Sequence, residues 1–192
     1  MSSFARKALI LVFAAVAGLG ALNAVAAGQS SAKPAPGEKV SMLDGKLAFT
    51  LPKGFSASAL PAGSEADGTA GASGTLYSNA TTRTVVIAAQ NTIPNGARVK
   101  DNDGAFLDAA VSGFLSQQAA ALPDFSKQSE KSMTLKGLGV RQIDSTATQG
   151  GGLTLNSTLI AGSGTRMAVI QVISRGTDKA GHAALMKQIL PQ

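Results

Sequence analysis

The last third of the chain constrains the fold most. Four extended runs follow one another there: FSKQSEKSMTLK (125–136), LGVRQIDSTATQ (138–149), LTLNSTLIAG (153–162) and TRMAVIQVISR (165–175). The first is polar and reads as an edge or near-edge strand. The last is almost continuously apolar and suits a central strand covered on both faces. The connections QGGG and GSG are hairpin punctuation, since a Gly-rich phosphate cradle would open a helix and these join strands. In 153–162, alternation puts Leu153, Leu155, Ser157 and Leu159 on one face.

Upstream, Val40 and Met42 precede an Asp44-Gly45 pair, and Leu47, Phe49 and Leu51 follow it. This predicts a hairpin with a two-residue primed turn, closed by Pro52, which has no N–H to donate. Residues 61 to 74 have almost nothing to bury and read as a mobile loop. Strands resume at TLYSN and RTVVIAAQ. The period then changes to helical: Phe106, Ala110 and Phe114, with Leu107, Val111 and Leu115, predict an amphipathic helix from Gly104 to Leu122, capped by Asp103 and ended by Pro123. A second helix, capped by Thr177 or Asp178, carries Ala184, Leu185, Ile189 and Leu190. The order strands, helix, strands, helix predicts an α+β fold, an antiparallel sheet with two main helices packed on it.

The first 27 residues read as a secretory signal peptide. Arg6 and Lys7 precede an uncharged run, and Ala24-Val25-Ala26 or Val25-Ala26-Ala27 offers small residues for cleavage. The competing reading is an uncleaved inner-membrane anchor, because Ala8 to Ala27 is long enough to span a bilayer. Residues 28–38 are small, polar and Pro-containing and read as a flexible linker. Residues 39–192 then form one domain. Export places it in a periplasm or outside the cell. The chain has no Cys, which excludes disulfides, thiolate metal sites and a lipid-bearing cysteine.

Of 17 basic and 11 acidic residues, only Arg6 and Lys7 fall in the leader, and the other basic residues are scattered. With no Trp and a single Tyr, the chain lacks both the basic patch and the stacking platforms of a nucleic-acid binder. The mild positive balance permits peripheral contact with anionic membranes.

Reactive side chains are few. The single His, His182, sits beside the apolar face of the last helix and reads first as a packed or boundary side chain. One His and no Cys leave only carboxylates for a metal. DNDG at 101–104 has the start of a calcium loop without the closing Glu, so Asp103 reads as a helix cap. Asp144 shares a strand face with Gln142 and Val140. Two readings stand for it: a structural hydrogen-bond acceptor tying strand to loop, or a polar group on a partner-binding surface with Gln142 and Lys136. Asp44 and Gly45 read as turn residues only. No catalytic residue, metal site or cofactor is implied.

LDGKLAFTLP (43–52) and LKGLGVRQIDS (135–145) together resemble the DcrB-like family of bacterial envelope proteins, which shares the PsbP-like α/β/α sandwich. Asp44, Gly45, Leu47, Phe49, Leu51 and Pro52 carry the first block; Lys136, Gly137, Gln142, Asp144 and Ser145 carry the second. The resemblance implies an exported protein without enzymatic chemistry, acting through an envelope protein partner and linked to phage adsorption in the family's namesake. That namesake resembles a lipoprotein, whereas this chain has no Cys to bear a lipid. The expectation from another class is a carrier of a small lipophilic ligand, with residues 61 to 74 as a lid.

Overall fold

The computed structural model describes residues 37–63 and 71–190. The expected signal peptide, most of the linker and the middle of the 61 to 74 segment lie outside the described residues. The elements are β1 (Lys39–Met42), β2 (Leu47–Thr50), β3 (Ser56–Ala59), β4 (Ser73–Asn79), β5 (Thr84–Thr92), α1 (Gly104–Ala121), β6 (Ser126–Leu135), β7 (Leu138–Gln149), β8 (Gly152–Ser163), β9 (Arg166–Arg175) and α2 (Lys179–Ile189). β1 and β2 pair only with each other. The remaining strands form a seven-stranded sheet of order β3-β4-β5-β9-β8-β7-β6, with every pairing antiparallel.

The apolar run of β9 occupies the middle of this sheet, paired with β5 on one side and β8 on the other. Its side chains alternate between two cores. Met167, Val169 and Ile173 join Val85, Ile87, Ile143 and Ile160 under α1, which contributes Leu107, Ala110, Val111 and Phe114. Ala168, Ile170 and Val172 join Val86, Val140 and Leu159 on the opposite face, covered by Leu185, Met186 and Ile189 of α2 and by Val40, Met42, Leu47, Phe49 and Leu51. The molecule is thus an α/β/α sandwich whose second outer layer is shared by α2 and the β1–β2 hairpin. Each fully buried aliphatic side chain contributes about 1.5–3 kcal/mol.

Both helices start as the sequence dictates. The Asp103 carboxylate accepts from the Phe106 N–H at 3.0 Å, and Asp178, rather than Thr177, accepts from the Gly181 N–H at 3.0 Å. Polar β6 lies at the sheet edge and β9 at its centre, as expected.

The first hairpin differs in detail. Its last pair is Met42 with Leu47, so four residues close it rather than two. Asp44 and Gly45 do take the positive φ of a primed turn, 56° and 88°, and the Lys46 N–H reaches the Leu43 carbonyl at 3.2 Å. Leu43 is also left-handed, at φ 51°. Its side chain is fully buried in the core beneath the hairpin, and that burial offsets the ~1–2 kcal/mol cost of the left-handed backbone.

The loop expected over 61 to 74 also needs correction at its end, and a strand that the sequence does not announce precedes it. β3 is a short edge strand of Ser and Ala with no apolar alternation to announce it, and β4 begins already at Ser73. Backbone pairing, not side-chain burial, holds β3, whereas β4 also buries Tyr77 and packs Leu76 against the core. Gly74 admits this close approach: a Cβ there would lie 2.9 Å from the Ala88 carbonyl oxygen and from Leu60.

A similar close approach joins α1 to the sheet, where the Phe106 ring lies on the bare backbone of Gly162 in β8. Gly162→Ala forces that ring aside and is expected to destabilise the fold by about 1–3 kcal/mol, read as a lower urea midpoint. An unchanged midpoint would show that the ring does not press on β8.

Candidate functional site

The sheet face under α2 is apolar along most of its area and polar along one row. In β7, Gln142 and Asp144 share the face of Val140. Asp144 is paired directly with Ser157 in β8 and with Ser129 in β6. Ser174 lies on the same face of β9, and the Asp178 cap starts α2 so that His182, one turn in, comes down onto the row. The result is a chain of contacts across four strands and a helix.

Asp144 is its hub. Oδ1 accepts from the Ser157 hydroxyl at 2.6 Å and from Gln142 Nε2 at 2.8 Å, while Oδ2 accepts from the Ser129 hydroxyl at 2.7 Å. Ser157 Oγ also lies 2.9 Å from His182 Nε2, and His182 Nδ1 lies 3.0 Å from Ser174 Oγ. A hydroxyl has one hydrogen. With that of Ser157 given to the carboxylate, we assign the ring proton to Nε2, so that Nε2–H donates to Ser157 and Nδ1 accepts from Ser174.

The charges agree with this assignment. Burial pushes the Asp144 carboxyl up, but the hydrogen bonds from Ser157, Gln142 and Ser129, with the nearby charge of Lys131, outweigh it and hold the group below the usual carboxylate range. Burial lowers His182 below the usual imidazole value, against the pull of the Asp144 and Asp178 charges. At neutral pH the row therefore holds one carboxylate and one neutral imidazole.

Ser, His and Asp in contact invite comparison with a nucleophile, base and orienter. In that arrangement the carboxylate holds the far nitrogen of the ring. Here the carboxylate holds the hydroxyl, and a serine holds the far nitrogen. Ser157 is 2% exposed and Ser174 1%, so neither oxygen has an open side from which a substrate could be attacked. The arrangement instead ties β6, β7, β8, β9 and α2 together by hydrogen bonds, and leaving one such buried donor unpaired costs about 1–3 kcal/mol.

The residues singled out from sequence fall into three places. Gln142 and Asp144 are together, as alternation required. Lys136 is not with them: it forms, with Gly137, the two-residue turn between β6 and β7, with φ of 50° and 89°. Six residues of strand, Leu138 to Ile143, separate that turn from Asp144, roughly 20 Å at the ordinary rise. Asp44 and Gly45 lie in the β1–β2 turn. Of the calcium-like acidic residues, Asp103 caps α1 and Asp101 pairs with Lys46 at 2.7 Å. Sequence reasoning left His182 as a packing residue and did not connect it to Asp144; it missed Ser129, Ser157 and Ser174 as partners. Placing Ser157 on an otherwise Leu-lined face was the available signal.

No family model and no curated protein matches the sequence. Among solved structures, the chain is similar to the cyanobacterial PsbP (CyanoP) of Synechocystis, with a TM-score of 0.55 and 10% identity over 84% of this chain and 96% of that one. It is also similar to a Pseudomonas aeruginosa protein of unknown function, with a TM-score of 0.47 and 12% identity over 80% of this chain and 93% of that one. The fold is therefore PsbP-like. At 10% identity the likeness to CyanoP speaks to architecture alone.

His182 gives the row a pH signature. Its folded value lies below the ordinary ~6.5, so the unfolded chain takes up the proton first. Stability from this group is complete above about pH 6.5 and is lost as pH falls towards the folded value. Urea midpoints at pH 7.5 and 5.5 are expected to fall for the native protein and to fall less for His182→Gln. Equal losses in both proteins would show that the imidazole is not held neutral by the fold. Because the chain has one His, no second imidazole contributes to the difference.

Proposed function

We propose that this protein is an exported, non-enzymatic component of the bacterial cell envelope that acts by binding a protein partner. The observation that carries the reading is the closed hydroxyl of Ser157. The chain's sole His and the partly buried Asp144 are both committed to that hydroxyl, so these acid–base candidates are spent within the fold. The two DcrB-like blocks and the leader-like N-terminus support the same reading and favour the periplasm. By that resemblance the role lies in envelope assembly or phage adsorption. The partner surface lies over the β6–β7 side of the sheet, where Gln142 remains partly exposed beside exposed Lys131.

Photocrosslinking probes in living cells test this, placed along 61 to 74, at Gln142 and in the 149 to 152 turn, with Ala120 on the exposed side of α1 as the distant control. The expected result is one envelope protein captured from neighbouring probe positions and not from the control. Folded protein recovered without any adduct, from every position, would overturn the proposal.

A further inference from the structure

At the other end of β8 from the 149 to 152 turn, three connections meet around a cleft of about 380 Å³. The β1–β2 turn supplies Asp44 and Lys46, the segment before α1 supplies Arg98 and Asp101, and the β8–β9 turn leads into Arg166. The walls are held by backbone hydrogen bonds. Val99 and Gly164 exchange N–H···O bonds of 2.8 and 3.1 Å, and the Ile93 N–H reaches the Thr165 carbonyl at 2.7 Å. The backbone around the cleft is therefore ordered before a ligand enters, and only the side chains remain to be fixed.

Its charges are unevenly matched. Lys46 is committed to Asp101, with Nζ 2.7 and 2.8 Å from the two carboxylate oxygens, and Ser163 donates to the same carboxylate at 2.6 Å. Arg166 comes no closer than 4.0 Å to the highly exposed carboxylate of Asp44, beyond hydrogen-bond reach. Arg98 is exposed and makes no hydrogen bond or ion pair among the described residues. Arg98 thus borders the cleft unpaired among the described residues and Arg166 with only a long ion pair to Asp44, and guanidinium is the side chain that recognises oxyanions in a bidentate manner.

We propose that this cleft binds a phosphomonoester carried on a small polyol, with Arg98 and Arg166 holding the phosphate and Asp44 accepting from the ligand's hydroxyls. A phosphomonoester carries a charge near −2 at neutral pH, which the two guanidinium groups match once Asp44 turns from Arg166 to the ligand's hydroxyls. The volume lies in the range of small-molecule sites. No aromatic ring lines the cleft, which removes the stacking a nucleotide base would use. The same chemistry is presented by a free polyol phosphate and by a phosphomonoester lipid headgroup. The 149 to 152 turn lies at the other end of β8, and the titrations read a small ligand rather than a captured protein, so their failure is distinct from that of the partner-capture experiment.

Two titrations of the protein in its cellular form decide it. Calorimetry with glycerol 3-phosphate is expected to show saturable binding at one site, absent with glycerol. Arg98→Gln and Arg166→Gln are each expected to weaken it at least tenfold, Arg98→Lys less, and Lys187→Gln on the exposed side of α2 not at all. Flotation with phosphatidylcholine vesicles containing phosphatidic acid is the second arm. Flotation lost in Arg98→Gln, without binding of the free ester, assigns the phosphate to a lipid headgroup. Absence of binding in both arms, or binding unaltered in both arginine variants of confirmed fold, would overturn the proposal.

Discussion

The structure depends on the double burial of β9. A strand paired on both edges and covered on both faces leaves no side chain of Met167 to Ser174 in water, so the sheet must be roofed twice. α1 makes one roof. The other requires two pieces, because α2 has only eleven residues and covers one part of the face. The β1–β2 hairpin completes it, which is why a hairpin that joins no other strand is still bound into the fold by five buried apolar side chains and Leu43. The price of that closure is visible at Leu43, whose backbone is left-handed so that its side chain can turn inward.

Where α2 begins, the roof is polar on its underside and so is the sheet. Ser129, Asp144, Ser157, His182 and Ser174 satisfy one another in sequence, and each member is specified by its neighbours: a buried hydroxyl left without a partner loses more than the pair gains. The row therefore fixes how α2 sits on the sheet more sharply than the interchangeable contacts of Leu185, Met186 and Ile189 can. It also explains how a chain with so few reactive groups can contain Ser, His and Asp in contact without forming an attack geometry. On our proposal the molecule acts through what surrounds this row, and the cleft at the opposite end of β8 is a separate feature built from turns.

Much of the architecture was legible because the strongest patterns are local. The apolar run of β9, the polar edge of β6, the helical spacing of Phe106, Ala110 and Phe114, and the Asp103 cap all state their own environment. β3 was illegible for the opposite reason: Ser56–Ala59 is held by backbone pairing alone and has no buried side chain to impose a period. The strand β8 shows a further limit. Alternation correctly put Ser157 and Leu159 inward, yet Thr154, Asn156 and Thr158, on the other face, are buried as well, because α1 covers that side. A polar residue within a strand looks outward-facing until the second roof is known. The end of the strand misleads in the other direction, with Leu153 57% exposed beyond the reach of either core.

The site was half legible. Period two joins Gln142 to Asp144 within one strand, but the link from Asp144 through Ser157 to His182 spans 38 residues of sequence and depends on strand register and on where Asp178 starts α2. Lys136 was grouped with Asp144 by sequence nearness, and the extended strand between them carries it to the far end of the sheet.

The central claim is that Ser157 is closed, its proton held by Asp144 and its other side by His182. Treatment of the folded protein with a fluorophosphonate, which phosphonylates activated serine hydroxyls, followed by peptide mass spectrometry, tests it most directly. The account predicts no adduct on Ser157 between pH 7 and pH 9. A stoichiometric adduct on Ser157, lost in His182→Gln, would show an open and activated nucleophile and contradict it.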